Sequence, residues 1–558
     1  MDNGREKIAS LIKAAAESAA SDAGIKLTDD FSVLLERPKI AQRGDWTTNA
    51  AMKCSKLFGM SPMELASEIS GRVKTGDVIE RIEVAVPGFI NITLTKNWMT
   101  ETIESVMMLG AEYGSNSMGK GRKVQVEFVS ANPTGPLHLG HGRGGAVGDV
   151  MSSILAFAGW EVEREYYIND AGLQMENLGK STQSRYFALF GREEDAPFPE
   201  DGYPGDYIGE IARAIASERG DAMTRLPLDE TLPFFRDRTC ESVLGMIKRD
   251  LADFGIKFDV WFSERSLYGD DLTERTISLL KTNGYAYEMD GAVWFKATAF
   301  GDDKDRVMIR NNGAPTYFTS DTAYLLDKYE RKFDLLIYVW GADHHGYVPR
   351  IRSVNKALGA RDESLEFMLI QFVSLLRNGT PVAMSKRAGT FVTLREVIDE
   401  VGRDAARFFF VNRRCDSHLD FDLEVAKQTS SDNPVYYVQY AHARICSIIR
   451  EAVARGIAMP EIADVDLSLL EDSSEARLVK EISRFPEEAA HAASNLEPHR
   501  IAFYATSLAE AFHSFYNTRK ILGEPADIMN ARLLLADASR ITIANTLRLL
   551  GVSAPEKM

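Results

Sequence analysis

Cysteine is almost absent from this chain: four residues in 558, Cys54, Cys240, Cys415 and Cys446, lie far apart and form no C-x-x-C. That excludes a disulfide framework and a cysteine-based structural zinc site, and it fits a reducing, cytoplasmic location. Long apolar runs are missing too. No stretch reaches the roughly 18 residues of a membrane span, so no membrane partner is expected. The opening segment MDNGREKIASLIKAAAESAASDAG is charged throughout and has no apolar h-region. It reads as an amphipathic helix of the fold rather than a secretory signal. Positive charge is not in excess either: 65 basic against 81 acidic residues give −16. Such a balance argues against coating DNA, yet leaves room for an RNA held by local patches and by shape. Tandem repeats and low-complexity tracts are absent. What remains is an ordinary globular composition, 45% hydrophobic and 26% charged, and at roughly 100–200 residues per domain the length suggests three or four domains.

Three blocks separate along the chain. Residues 1 to about 112 carry 13 basic and 16 acidic residues and read as a small α+β domain. Within it, RIEVAVPGFINITLT alternates as a strand pair with Pro87-Gly88 at the turn. From 113 to 430 the pattern becomes strand, loop, helix, strand: KVQVEFV, a helical run near 141–158, EVEREYYIN, then FDLLIYVWGAD and LEFMLIQFVSLL. Alternation of this kind predicts a Rossmann-like, doubly wound parallel sheet. The more polar stretch near 181–300 reads as an insertion between its halves. From 431 to 558 no clear strands remain. Apolar residues recur every three to four positions in four or five segments, which predicts an all-α helical bundle. Its 13 basic and 17 acidic residues make it depend on stacking and hydrogen bonds rather than bulk charge.

The strongest chemical signal is the run from Ser130 to Gly142, SANPTGPLHLGHG, which leaves a strand and enters a helix. A strand-to-helix junction offers free backbone N–H groups and the positive end of a helix dipole to phosphate. Gly140 allows a nucleotide close to the backbone. His138 and His141, three apart, point the same way on a first helical turn and can donate to phosphate oxygens as charge develops. Another cluster, VWGADHHGY, ends an apolar strand at Val339–Tyr347, where ligands of open parallel sheets bind. There Gly341 admits an adenosine and Asp343 accepts from ribose hydroxyls. The Asp-His-His string can also ligate a metal, but nothing in the sequence suggests a third ligand.

His138-Leu139-Gly140-His141 resembles the HIGH signature of class I aminoacyl-tRNA synthetases, and the longer string through Gly148-Asp149 is similar to the arginyl-tRNA synthetase version. Ala383-Met384-Ser385-Lys386-Arg387 stands where the second signature, KMSKS, belongs, with Ala383 in place of its first lysine. The resemblance implies that Lys386 joins His138 and His141 in catalysis, and that Met384 and Ser385 touch ATP with Gly140, Gly341 and Asp343. It further implies an arginine pocket. Glu127 lies against the substrate side chain, Asn132 holds its α-amino or carboxylate end, Tyr317 and Asp321 stack on and pair with the guanidinium, and His344 approaches the α-amino group. Taken without the resemblance, Tyr317 reads as core and Asp321 as a helix N-cap. Tyr167–Gly172, YINDAG, resembles a further family motif and is assigned to shaping the pocket. Gly44–Met52 and Pro87–Asn91 are similar to the N-terminal domain of arginyl enzymes, with Trp46 and Asn49 as tRNA contacts. The helical tail is similar to an anticodon-binding domain, with Tyr440 as a contact.

The expectation is therefore an enzyme that ligates arginine to its tRNA through arginyl-adenylate, taking ATP with Mg²⁺, without protein-bound zinc, acting as a monomer. A catalytically inactive tRNA-binding paralogue and another class I synthetase are the rival readings. The cysteinyl enzyme's zinc thiolates are missing here.

Overall fold

The computed structural model describes residues 3–29, 31–38, 44–76, 78–269, 271–382 and 392–558. The N-terminal block comprises α1 (Asn3–Asp22), β1 (Trp46–Thr48), α2 (Ala50–Phe58), α3 (Pro62–Arg72), β2 (Ile79–Ala85) and β3 (Phe89–Leu94). Its antiparallel sheet runs β1-β3-β2, and its own core gathers Ile8, Ile12, Leu65, Ile69, Ile90 and Ile92. Helix α4 (Asn97–Leu109) leads out of it.

The central block runs β4 (Lys123–Glu127), α5 (Leu139–Phe157), β5 (Glu161–Ile168), α6 (Leu173–Ala188), α7 (Asp206–Arg219), α8 (Leu228–Asp253), β6 (Val260–Ser263), α9 (Ser266–Gly269) and α10 (Leu272–Thr282). It continues with β7 (Ala286–Met289), β8 (Ala292–Phe295), β9 (Arg306–Ile309), α11 (Tyr317–Glu330), β10 (Leu335–Gly341), α12 (Val348–Ala357) and β11 (Leu365–Ile370). Five parallel strands, in the order β11-β10-β4-β5-β6, form the sheet. β4 is buried on both faces from Val124 to Glu127, as a central parallel strand must be. The order reverses at β4, which places a crevice at its carboxyl end.

Two sequence expectations change here. The stretch 181–300 is not one inserted body, because β6 pairs with β5 as the edge of the main sheet, while β7-β8-β9 make a separate antiparallel sheet. β6 is only four residues long, three of them apolar and all half-buried, so its signal is weak. The run LEFMLIQFVSLL is two strands: β11 stays in the parallel sheet, and β12 (Val373–Arg377) crosses to a small sheet with β13 (Thr380–Pro381) and β14 (Leu419–Asp422).

Helices α13 (Leu394–Val401), α14 (Arg403–Val411) and α15 (Leu423–Lys427) connect to the final bundle. That bundle is α16 (Pro434–Ala454), α17 (Ser473–Ser483), α18 (Phe485–Asn495), α19 (His499–Thr518) and α20 (Ala526–Leu550). Its core merges with that of the parallel sheet. Among the described residues no helix is long and apolar enough to cross a membrane.

Candidate active site

The site is built on the turn that leaves β4. Val129 and Ser130 have φ of +66° and +38°, a conformation unfavourable for a β-branched residue such as valine. Local bonds hold it: Ser130 Oγ donates to Glu127 Oε1 at 3.1 Å and accepts from the Tyr167 N–H at 3.2 Å, while Tyr166 Oη donates to the Ala131 carbonyl at 2.7 Å. Beyond it α5 carries five glycines, some of which serve packing. A Cβ on Gly148 would lie 2.3 Å from Phe128, and one on Gly142 would lie 2.7 Å from Leu394. The helix therefore sits directly on the strand, with its N-terminus at the crevice.

His138 is the N-cap of α5 rather than a residue of its first turn. Its Nδ1 accepts the N–H groups of Gly140 (3.1 Å) and His141 (3.4 Å), and His141 Nδ1 accepts the N–H of His138 (3.3 Å). The rings stack at 3.6 Å. A backbone N–H can only donate, so both Nδ1 atoms are unprotonated and each neutral ring carries its proton on Nε2. Two parallel N–H donors thus result from a histidine version of the capping box. The spacing expectation holds in outcome, but capping is what aligns the rings.

Gly341 ends β10, and its lack of a Cβ leaves room for the Asp343 carboxylate, whose Oδ1 would be 2.4 Å from such an atom. Asp343 and His344 are exposed and pair with each other at 3.7 Å. Among the described residues no three histidine, cysteine or carboxylate side chains gather as a metal site. Asn132 Nδ2 donates to Gln174 Oε1 at 2.8 Å.

Toward the same carboxyl end of the sheet lies an acidic, aromatic cluster. Tyr317, the first residue of α11, is 63% exposed, so it is not core. Asp321, one turn on, is no N-cap; it accepts a hydrogen bond from Tyr347 Oη. Burial pushes its carboxyl up to about 7, with Glu264 and Glu127 adding repulsion and the Tyr347 bond opposing. Glu264, just beyond β6, is buried and accepts from Tyr268 Oη at 3.1 Å; burial raises its carboxyl above the ordinary range. Tyr167 faces Glu264, Asp321 and Glu127 together. Glu127 meets a cation, as a buried carboxylate must, but an internal one: Lys328 Nζ lies 2.5 Å from Oε2 and rests on the rings of Tyr324 and Tyr338. Sequence reasoning missed Glu264, Lys328 and Tyr347. Glu264 follows a strand of only four residues, and Lys328 looks like any helical lysine.

Met384, Ser385 and Lys386 lie outside the described residues, as does Ala383. The residues flanking them are described. Val382 N–H bonds to the Leu375 carbonyl, Thr393 bridges to His138, and Leu394 N–H bonds to the Leu137 carbonyl at 2.8 Å.

Comparison with known proteins decides the family. The class I tRNA synthetase (R) catalytic domain matches residues 102–185 and 228–446, the arginyl tRNA synthetase N terminal domain matches 6–94, and the DALR anticodon binding domain matches 438–558. The chain belongs to the arginyl-tRNA synthetase family. The arginine–tRNA ligase of Syntrophotalea carbinolica is 52% identical over 94% of each chain, and that of Carboxydothermus hydrogenoformans is 47% identical over 99% of each. The structure of Thermus thermophilus arginyl-tRNA synthetase, 22% identical, covers 99% of this chain and 100% of its own with a TM-score of 0.76, a likeness of fold. The segment between 185 and 228, with α7 and exposed Leu189, Phe190, Phe198 and Leu226, falls outside the catalytic-domain match.

The peripheral synthetase motifs divide. Trp46 is 5% exposed, under the Arg37 guanidinium at 4.5 Å. Its ring is packed in the core of the N-terminal block. Asn49 begins α2 without capping it. Tyr440 lines a cavity of about 880 Å³ in the bundle with Arg444, Tyr516, Arg519 and Lys520, and Arg444 lies between the rings of Tyr440 and Tyr516 at 4.6 and 4.5 Å.

Proposed function

We infer that this chain ligates arginine to its tRNA in two steps. A carboxylate oxygen of arginine attacks the α-phosphorus of ATP, the bond to the β-phosphate breaks, and pyrophosphate leaves. The terminal ribose hydroxyl of tRNA, the 2′ one in the class I pattern, then attacks the adenylate carbonyl. AMP leaves, and the hydroxyl gives up its proton. ATP enters as its Mg²⁺ complex, with the ion held by phosphates and water.

The observation that carries this reading is the cluster of Asp321, Glu264 and Glu127 among tyrosines, with the histidine pair capping the helix that follows the strand bearing Glu127. Asp321 and Glu264 present carboxylates in a low-dielectric pocket with tyrosine faces, the surroundings a planar guanidinium needs. Tyr317 at the mouth, Glu127 at the floor and Asn132 and His344 on the rim complete it. The Nε2–H groups of His138 and His141 stabilise charge on the phosphates without transferring protons. Lys386 adds its ammonium, and Met384 and Ser385 pack on the nucleotide over Gly140, Gly341 and Asp343. Asn49 and the Tyr440–Arg444 cavity grip separate parts of the tRNA; aromatic and guanidinium planes suit splayed bases.

ATP–pyrophosphate exchange with each amino acid, with and without tRNA, tests the reading. Exchange specific to arginine, near background alone and restored by cognate tRNA, is expected. Exchange with another amino acid overturns it, whereas exchange with arginine alone removes only the tRNA coupling.

A further inference from the structure

The YINDAG motif does no chemistry in the reading above, yet Asp170 is built into the site in an unusual way. It stands two residues past the end of β5, and its side chain is mostly buried. Oδ2 accepts the Ser263 hydroxyl at 2.6 Å, Oδ1 accepts the Arg265 N–H at 3.2 Å, and the Asp170 carbonyl accepts Arg265 Nε at 2.8 Å. Between those two partners lies Glu264, whose own N–H donates to the Ile168 carbonyl at 3.0 Å. Three consecutive residues, 263 to 265, are therefore fastened to the end of β5 after the ladder stops at the Ile168–Ser263 pair.

Such fastening answers a physical problem. Glu264 is buried with the like charges of Asp321 and of Asp170 itself nearby, and like charges in a dry pocket repel. A free turn would swing the Glu264 carboxylate outward. A cavity of about 400 Å³, lined by Asp170, Asp237, Cys240 and Arg265, adjoins the bracket. From α8, Asp237 holds Arg265 at 3.1 Å.

We propose that Asp170 is a positioning residue for arginine recognition: its carboxylate clamps both neighbours of Glu264 and so aims that side chain into the pocket. The proposal rests on the reading of the acidic cluster as the arginine site. It assigns to the motif a role in substrate affinity and none in phosphate chemistry.

The test is a double-mutant cycle in the full-length enzyme with tRNA present. Asp170→Ala should raise the KM for arginine roughly ten- to thirtyfold, the size of losing one charge-assisted contact to a buried cation. The KM for ATP and kcat should stay within about threefold. Glu264→Gln should raise the arginine KM as much or more, and adding Asp170→Ala to it should change nothing further. Equal rises in both backgrounds mean general damage and overturn the proposal, as does an Asp170→Ala enzyme with unchanged arginine KM. An unaffected Glu264→Gln enzyme instead refutes the part given to Glu264 in the cluster. Should Asp170→Ala fail to fold, Ser263→Ala removes half of the clamp with less disturbance. It should raise the arginine KM about threefold in the wild-type background and not in Glu264→Gln; no rise, or the same rise in both, again overturns the clamp.

Discussion

At the scale of single residues, the capping job of His138 can be separated from its proposed contact with phosphate. His138→Asn keeps a cap acceptor but removes the Nε2–H donor, whereas His138→Ala removes both. Both variants should lose roughly 10²–10³ in rate, the size of one lost oxyanion-type donor. Only the alanine should also lose about 1 kcal/mol of stability for the missing cap; urea unfolding beside single-turnover kinetics reads both. Asp321 makes a pH prediction. Its carboxyl is pushed up to about 7 by burial and by Glu264 and Glu127, while a bound guanidinium favours the ionised form. Binding then releases a proton below that pH, so the KM for arginine should climb about tenfold per unit as pH falls below 7 and stay flat above it. The stability sign is opposite in sense. A carboxyl with a raised folded-state value favours the fold while protonated, and that favour is lost as pH rises from the ordinary carboxylate range through 7. Asp321→Asn should therefore melt higher than wild type at pH 8, with a smaller gain at pH 5, and lose arginine use by more than about 2 kcal/mol.

At the scale of elements, α5 shows why a helix with a glycine-rich first half persists. Glycine costs a helix interior about 1 kcal/mol relative to alanine, yet here some glycines are needed and others are not. Gly148 abuts Phe128 at a distance no Cβ tolerates, while a Cβ on Gly144 meets nothing within 4 Å. Gly144→Ala should raise stability by about 0.5–1 kcal/mol. Gly148→Ala should lower it by about 1–3 kcal/mol and reduce kcat, because it lifts the histidine pair off the strand end. Thermal melts of the two variants, measured together, separate propensity from packing.

At the scale of the whole molecule, one buried guanidinium joins three parts. Arg407 in α14 is fully buried; it pairs with Asp149 of α5 at 2.5 Å and donates to the carbonyls of Phe254 and of Leu550, the last residue of α20. Gly551 has no room for a Cβ against it. Arg407→Met should destabilise the protein by about 2–4 kcal/mol, since two carbonyls lose their buried donor and Asp149 keeps only Arg164. Loosened contact between bundle and catalytic helix should show as faster hydrogen exchange in both α5 and α20. The N-terminal block is tied to the bundle as well, by Arg37–Glu487 and Lys480–Asp45, so both blocks proposed to grip tRNA bear on one body.

Sequence alone determined the local events: the strand pair around Pro87-Gly88, the strand-loop-helix at 123–158, the helical tail and the paired histidines. Each depends on periodicity or turn chemistry within a few residues, and the family followed from motifs that lie in such local contexts. Tertiary structure decided whatever depends on neighbours distant in the chain. Nothing near Trp46 reveals that its ring is covered. Nothing near Glu127 reveals that Lys328, 201 positions away, supplies its cation. Glu264 joins the cluster only because β6 pairs with the sheet beside β5, and α5 needs Gly148 and Gly142 only because Phe128 and Leu394 lie against them. Burial and charge compensation are sums over the whole surrounding space, and a one-dimensional pattern does not contain that space.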